Sequence, residues 1–212
     1  LAPAGGKILG RGGFGVALLA HYYGAEVVLK VPCPSKEKSL QASADGKALL
    51  MAAAELGIFR QLRHPNIVAF YGAKVDPTSS ELVLVLEYVR GDVLSNAIRG
   101  LPSSPADFAK RCLLAVDICC GLRYLHAHKP VVIHGDVKGS NVMVERHGDC
   151  QVAKLLDFGL SRLLTRQVRN LGGSLRWVAP EVRLQNGHPS PSSDVFSFGR
   201  MLYFITTGRV PD

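Results

Sequence analysis

Apolar positions in the first third of the chain come in short runs bounded by Gly, Pro and Ser, which is the pattern of strands. Lys7-Ile8-Leu9 leads into Gly10-Arg11-Gly12-Gly13-Phe14-Gly15, residues 16–21 follow, and after a Tyr23-Gly24 turn comes a run over 26–31. Residues 66–72 and 81–88 make two more such runs, joined by a Pro77-Thr78-Ser79-Ser80 turn. One stretch between them is different. Residues 47–62 are rich in Ala, Leu, Met and Glu, with Ser43 or Asp45 near the start and Pro65 past the end, and predict a helix. Glu55 and Phe59 lie one turn apart on one face of it, with Leu62 close by. Gly57 costs this helix about 1 kcal/mol relative to Ala, which makes its position adjustable. A small sheet carrying one helix is expected over 1–86.

The period changes after Gly91-Asp92, where helical spacing takes over, and a hinge is expected at 87–89. Ser104-Pro105 is a helix start, Ser as cap and Pro in the first turn. The helix runs to about His126, with Phe108, Cys112, Ala115, Cys119, Leu122 and Leu125 at helical spacing; Cys119 and Cys120 are assigned to core packing. Val131-Val132-Ile133, 141–144 and 153–156 read as short strands, the last two joined at Gly148, and 195–207 reads as a helix stopped by Gly208. The expected class is α+β, with a mainly helical part over 90–212.

Composition adds exclusions. With 212 residues, 47% hydrophobic and 20% charged, the chain is of the globular class. No apolar run reaches bilayer-spanning length, and the first residues lack a leader pattern. Five cysteines, an odd number without a C-x-x-C pair, predict reduced thiols in a cytosolic setting. The net charge of +8 raises nucleic acid as a partner, but the excess is spread: 10 basic and 7 acidic residues over 1–90, 15 and 10 over 91–212. No block of consecutive Lys or Arg appears, so specific nucleic-acid binding is set aside and a mild preference for acidic partners retained.

The densest chemistry is His134-Gly135-Asp136-Val137-Lys138-Gly139-Ser140-Asn141. A His-x-Asp-x-Lys-x-x-Asn is expected by chance about 10⁻⁴ to 10⁻³ times in a chain of this composition. It places an acid, a cation and an amide on a loop beside a rigid neighbour, where chemistry tends to sit. Gly10-x-Gly12-x-x-Gly15 is weaker, arising by chance about 0.2 times. A strand rather than a helix follows it, which argues against a dinucleotide fold and for a hairpin whose bare backbone N–H groups can approach phosphates. Lys30 lies in an apolar strand and needs a carboxylate, which Glu55 can supply. Asp157-Phe158-Gly159 ends a strand with a carboxylate, suited to a metal beside a mobile joint. Taken singly, each also reads blandly: a solvated loop, an ordinary hairpin, an exposed glutamate, a plain turn.

In this order the pieces resemble the protein kinase catalytic domain over nearly the whole chain. Gly10-x-Gly12-x-x-Gly15 looks like the nucleotide-covering loop, Val27-Val28-Leu29-Lys30 like the V-A-I-K strand, and His134-Gly135-Asp136 like H-R-D. Asp157-Phe158-Gly159 and Ala179-Pro180-Glu181 are D-F-G and A-P-E unaltered, and Asp194 resembles the anchoring aspartate of the central helix. Leu62-Arg63-His64-Pro65-Asn66-Ile67-Val68 and Gly173-Ser174-Leu175-Arg176-Trp177-Val178 are similar to the tyrosine-kinase-like group of Ser/Thr kinases, Raf-like or plant receptor-like.

The resemblance implies a bilobal fold, a small antiparallel lobe with one helix before a mainly helical lobe. It implies ATP and Mg²⁺ as cofactors and Ser/Thr hydroxyls of proteins as acceptors, since Lys138 stands where Ser/Thr kinases carry Lys. Catalytic roles fall on Asp136 as base, Lys138 at the γ-phosphate, and Lys30 held by Glu55 at the α/β-phosphates. Metal roles fall on Asn141 and Asp157. The nucleotide would be lined by Gly10, Arg11, Gly12, Gly13, Phe14, Gly15, Ala17, Val28, Lys30, Leu86, Glu87, Val89 and Met143. Ala17 stands where Val is usual and Val28 where Ala is usual, an exchange that conserves pocket volume. His134 would pack with Phe158, Phe59 and Phe70.

Three departures stand out. Gly135 replaces the Arg that in many kinases pairs with an activation-segment phosphate, so that route of control is absent. Within that segment Ser161, Thr165 and Ser174 are hydroxyls and Arg162, Arg166 and Arg169 cations, with Ser174 at the usual structural threonine position and so expected to position substrate. Family members continue past the central helix and carry an Arg for the A-P-E glutamate. A C-terminally incomplete lobe with exposed apolar surface is therefore expected, along with regulatory domains in flanking sequence. The location is cytoplasmic, or the cytoplasmic side of a membrane within a larger receptor. The rival reading is a pseudokinase or nucleotide-binding scaffold, inactive because the C-lobe is incomplete; such proteins typically lose the counterparts of Lys30, Asp136 or Asp157, and all three are present, so the sequence separates the two readings only in part.

Overall fold

Tyr23 and Gly24, with φ of 49° and 84°, close a hairpin in a turn whose positive φ angles match the twist of the flanking strands. In this computed structural model, which describes residues 2–12, 15–31, 56–57, 60–75, 82–99, 104–157, 175–184 and 188–212, that hairpin joins β2 (Gly15–Tyr22) to β3 (Ala25–Val31). β1 (Ala2–Gly12) pairs with β2, and β4 (Phe70–Val75) and β5 (Leu82–Glu87) complete an antiparallel sheet in the order β1-β2-β3-β5-β4. Alternation of side chains along each strand sorts them onto two faces. Ala20, Val27, Leu29, Val83 and Val85 form the core on one face, with Leu18 and Val31 against them.

The chain divides into two compact units. One holds the described residues up to Arg63 and those from Ala69 to Tyr88; the other holds His64–Val68 and the described residues from Val89 onward. The predicted strand over 66–72 is corrected: extended pairing begins only at Phe70. The Asn66 carbonyl accepts from Leu155 N at 2.9 Å and Val68 N donates to the Leu155 carbonyl at 3.0 Å, so these backbone groups are committed to the second unit. Of the predicted helix over 47–62, residues 56, 57, 60 and 61 are helical, Leu62 is buried but no longer helical, and the rest lies outside the described residues.

In the second unit β6 (Gly91–Val93), β7 (Val142–His147) and β8 (Cys150–Leu155) form a three-stranded sheet, β7 and β8 being joined at Gly148 with φ 61°. The helices are α1 (Leu94–Arg99), α2 (Pro105–Ala127), α3 (Pro180–Leu184) and α4 (Pro191–Thr207). Ser104 caps α2 as predicted, accepting from Asp107 N at 3.2 Å. α4 starts four residues before the predicted 195, because Ser190 and Ser193 form a reciprocal capping box; Gly208 ends it at φ 71°.

The predicted inner face of α2 is also corrected. Arg111, Leu114, Ala115, Ile118, Gly121, Leu122 and Leu125 are buried, whereas Phe108 and Cys119 are exposed and Cys112 and Cys120 half-buried. α2 is apolar on nearly every side, so spacing alone could not choose a face; packing on β8 and α4 did. Val131-Val132-Ile133 is not a strand: Val132 N bonds back to the Leu125 carbonyl at 3.1 Å instead of to a neighbouring strand.

Candidate active site

The loop over 134–141 hangs from one buried carboxylate. Asp194, in the first turn of α4 and 1% exposed, accepts from the backbone N of His134 and of Gly135, each at 2.8 Å. It also lies 2.9 Å from His126 Nε2 near the end of α2. α4 is long and well capped, so the carboxylate that starts it fixes the loop to a rigid element. Gly135 takes φ 76°, a left-handed conformation that costs any residue with a Cβ.

His134 is fully buried, and its Nδ1 accepts from Asp136 N at 3.3 Å, which places the neutral ring's proton on Nε2. Burial holds its pKa below the usual histidine range; Asp194, Asp136 and Asp157 pull the other way without overcoming it.

Asp136 is gripped at one oxygen. Lys138 Nζ lies 2.7 Å and Asn141 Nδ2 2.8 Å from Oδ2, and the same amide donates to the Asp136 carbonyl at 2.9 Å. Asn141 sits on a 3₁₀ turn, Gly139–Asn141, tied to the end of β8 by Leu156 N to its carbonyl at 2.8 Å. With its amide nitrogen committed to Asp136, the Asn141 Oδ1 is the atom left to ligate. Asp157, following β8, takes φ 59°, an uncommon conformation for a residue with a side chain and one met at functional sites. Met143 is half-buried on β7, and Val89 is buried where this unit resumes.

In the first unit, Ala17 pairs with Lys30, Val28 with both Leu19 and Leu86, and Lys30 with Leu84. Ala17, Val28, Lys30 and Leu86 therefore share the sheet face opposite the core, and the exchanged Ala17 and Val28 are diagonal neighbours on it. Lys30 is 7% exposed. Glu87 is held at its side chain, Oε2 accepting from Ala69 N at 2.9 Å. Gly10, Arg11, Gly12 and Gly15 lie in the β1–β2 hairpin, with Gly12 opposite Gly15, so the glycines do join two strands. Glu55, Gly13, Phe14, Phe59, Phe158 and the segment with Ser161, Thr165, Ser174 and its three arginines lie outside the described residues.

Sequence reasoning missed three supports. His126 meets Asp194. Asn66 Nδ2 donates to the Ala153 carbonyl at 3.0 Å, and Asp117 Oδ2 accepts from Ala153 N at 2.9 Å, so one residue of β8 is clamped at both backbone groups. The only signal for these was polar residues within apolar runs.

The protein kinase domain pattern matches residues 4–211. The chain belongs to the protein kinase family. Human mitogen-activated protein kinase kinase kinase 10 is 36% identical over 97% of this chain and 21% of that protein. The Arabidopsis thaliana probable serine/threonine-protein kinase SIS8 is 33% identical over 97% of the chain and 19% of that protein. The serine/threonine-protein kinase CTR1 of the same plant is 33% identical over 96% and 24%. These relatives put the kinase domain with the tyrosine-kinase-like Ser/Thr members, and the chain spans about a fifth of their length.

Protein kinases generally use ATP and Mg²⁺. Among the described residues no group of three or more His, Cys, Asp or Glu is set to cage a metal. Mg²⁺ needs no such cage, since it is held by one or two protein oxygens together with substrate phosphates, and Asn141 and Asp157 supply oxygens of that kind. No helix among the described residues is long and apolar enough to cross a membrane.

Proposed function

We propose that this chain transfers the γ-phosphoryl group of ATP to Ser or Thr hydroxyls of protein substrates in signalling. The observation that carries the reading is the grip on Asp136, with Lys138 at 2.7 Å and Asn141 at 2.8 Å on the same Oδ2. A carboxylate fixed at one oxygen presents the other to a hydroxyl, orienting it for attack and taking its proton as the bond forms. Lys138, already beside that site, offsets charge on the transferring group. As the family resemblance implies, Lys30 with Glu55 would bind the α/β-phosphates, and Asn141 and Asp157 would hold the metal. By the same resemblance Gly10 to Gly15 would offer backbone N–H groups to the phosphates, and Ala17, Val28, Leu86, Glu87, Val89 and Met143 would line the adenine. When bound, Mg²⁺-ATP supplies the phosphoryl donor and the charge that neutralises the leaving phosphate.

The acceptor is a protein hydroxyl, flanking regulatory regions belong to a longer polypeptide, and the reaction is cytoplasmic, where ATP is abundant and thiols stay reduced. Transfer from labelled ATP to a mixed Ser/Thr/Tyr peptide library tests the reading. Label on Ser and Thr is expected, falling about 10²- to 10⁴-fold in Asp136→Ala. Label on Tyr alone, or equal label with the variant, would overturn it.

A further inference from the structure

β8 is an edge strand, since the sheet order β6-β7-β8 leaves one side of it without a neighbouring strand. Its antiparallel register with β7 aims alternate backbone groups at that open side, and at Ala153 and Leu155 those groups are all taken. Leu155 is met by main chain. Its N–H donates to the Asn66 carbonyl at 2.9 Å, its carbonyl accepts from Val68 N at 3.0 Å, and Ile67 is its parallel bridge partner. Ala153 is met by side chains instead, its N–H donating to Asp117 Oδ2 at 2.9 Å and its carbonyl accepting from Asn66 Nδ2 at 3.0 Å. One residue past Leu155, Leu156 N donates to the Asn141 carbonyl at 2.8 Å. Asp157 comes next at φ 59°, a conformation that a residue with a Cβ keeps only where its surroundings dictate it.

Of these partners Asp117 is the one that α2 supplies and the one that carries charge. It reaches β8 because α2 comes down on the strand one turn later, at Gly121. A Cβ there would stand 2.8 Å from Leu155 Cδ1 and 3.0 Å from the Asn66 carbonyl, so only a residue without a side chain lets the helix approach this far. A carboxylate accepting from a backbone N–H makes a stronger bond than a neutral acceptor does. Ala153 is 0% exposed, so water cannot take the place of Asp117. We propose that Asp117 is a positioning residue for phosphoryl transfer: by holding Ala153 N it fixes the run of β8 into Asp157, and with it the place of the metal-binding carboxylate.

This role presupposes the functional reading above, in which Asp157 and Asn141 hold Mg²⁺. Asn141 is tied to the same strand end through Leu156 and to Asp136 through its amide, so a shift of β8 changes the spacing of the two metal-binding side chains. Metal affinity depends on that spacing, whereas folding stability depends only on which bonds survive. Groups that hold a metal ligand in place carry about 10- to 100-fold of the metal's affinity. Asp117 acts through the backbone of β8 rather than on the ligand itself, which sets the expected loss at the lower end, about tenfold.

The test is Mn²⁺, standing in for Mg²⁺, titrated into the full chain with a non-hydrolysable ATP analogue and followed by electron paramagnetic resonance. Mg²⁺-dependent peptide phosphorylation, melting temperature and hydrogen exchange at Ala153 are measured beside it. Asp117→Ala is expected to weaken Mn²⁺ binding about tenfold, to raise the Mg²⁺ needed for half-maximal rate in step, and to speed exchange at Ala153, with the peptide KM unchanged. Asp117→Asn keeps a neutral acceptor and is expected to fall between wild type and Ala; it carries the comparison if the Ala variant does not fold. Ser104→Ala, which removes only the cap of α2, is expected to lower the melting temperature and leave Mn²⁺ affinity as in wild type. Unchanged Mn²⁺ affinity in the Asp117 variants while their melting temperatures fall, or an equal loss in Ser104→Ala, would overturn the proposal and leave Asp117 a stabilising residue. A wild type that neither binds Mn²⁺ with the analogue nor phosphorylates any peptide would instead overturn the functional reading, and this role with it.

Discussion

Replacing Gly135 by Ala separates backbone strain from side-chain crowding at the loop that carries Asp136. Gly135 sits at φ 76°, and an added Cβ would meet Pro189 Cβ at 3.5 Å and Cγ at 3.7 Å, ordinary contacts. Sterics outside the backbone therefore add nothing, and the cost is the left-handed conformation, about 1–2 kcal/mol for an L-residue. Ala also narrows the unfolded ensemble, which returns about 0.4–1 kcal/mol. The net loss is about 0–1.6 kcal/mol, or up to about 4 °C in Tm for a chain of this size. Asn tolerates the left-handed region better and should lose less than Ala. Urea unfolding followed by the fluorescence of Trp177, the single tryptophan, reads this unit directly, since its ring stands edge-on to Phe204 with centroids 6.1 Å apart. Gly135→Arg, which restores the residue common in the family, should show the same strain as Ala. An Ala variant clearly more stable than wild type, or an Asn variant less stable than Ala, would refute the reasoning.

Two further outcomes follow from packing and titration. Gly121 lies where α2 crosses β8, and a Cβ there would come within 2.8 Å of Leu155 Cδ1 and 3.0 Å of the Asn66 carbonyl, whereas Gly199 on α4 is exposed with open space around it. Gly121→Ala should cost about 1–2 kcal/mol by overpacking despite Ala's helix preference, and Gly199→Ala should gain about 0.5–1 kcal/mol; equal effects in chemical denaturation would contradict this. His134 has a folded pKa below its unfolded value of about 6.5, so below pH 6.5 the unfolded chain binds more protons than the folded one. Its contribution is full above pH 6.5 and is lost as pH falls from there toward the folded pKa, with a slope of at most about 1.4 kcal/mol per pH unit. Unfolding free energies from pH 7.5 to 5.5 should show this slope and His134→Asn should flatten it; parallel curves for the two proteins would exclude His134 as the source.

Much of the site was legible because its chemistry is local in the chain. Asp136, Lys138 and Asn141 fall within six residues, and one loop with a short 3₁₀ turn is enough to bring their polar atoms together. The β1–β2 hairpin was legible for the same reason, since glycines flanked by two alternating runs leave little else to form. The exchange of Ala17 and Val28 was inferred from residue sizes, and register then made them diagonal neighbours.

The supports of the site were hidden because they are not local. Asp194 lies 59 and 60 residues from the amides it holds, and His126 is 68 residues from it. Nothing in the spacing of these residues announces the meeting. Asn66 was assigned to a strand because its neighbours are apolar and β-branched, yet its amide and carbonyl are taken by Ala153 and Leu155.

By itself, then, the sequence determined the elements whose interactions lie within a few residues of one another: the capped starts of helices, the glycine turns, the alternating strands and the close spacing of Asp136, Lys138 and Asn141. Tertiary structure decided which side of α2 is buried, where β4 begins, and what anchors the loop at Gly135. An α2 apolar on nearly all sides has several equivalent faces until β8 and α4 select one by shape, and a backbone N–H takes whichever acceptor packing brings within reach.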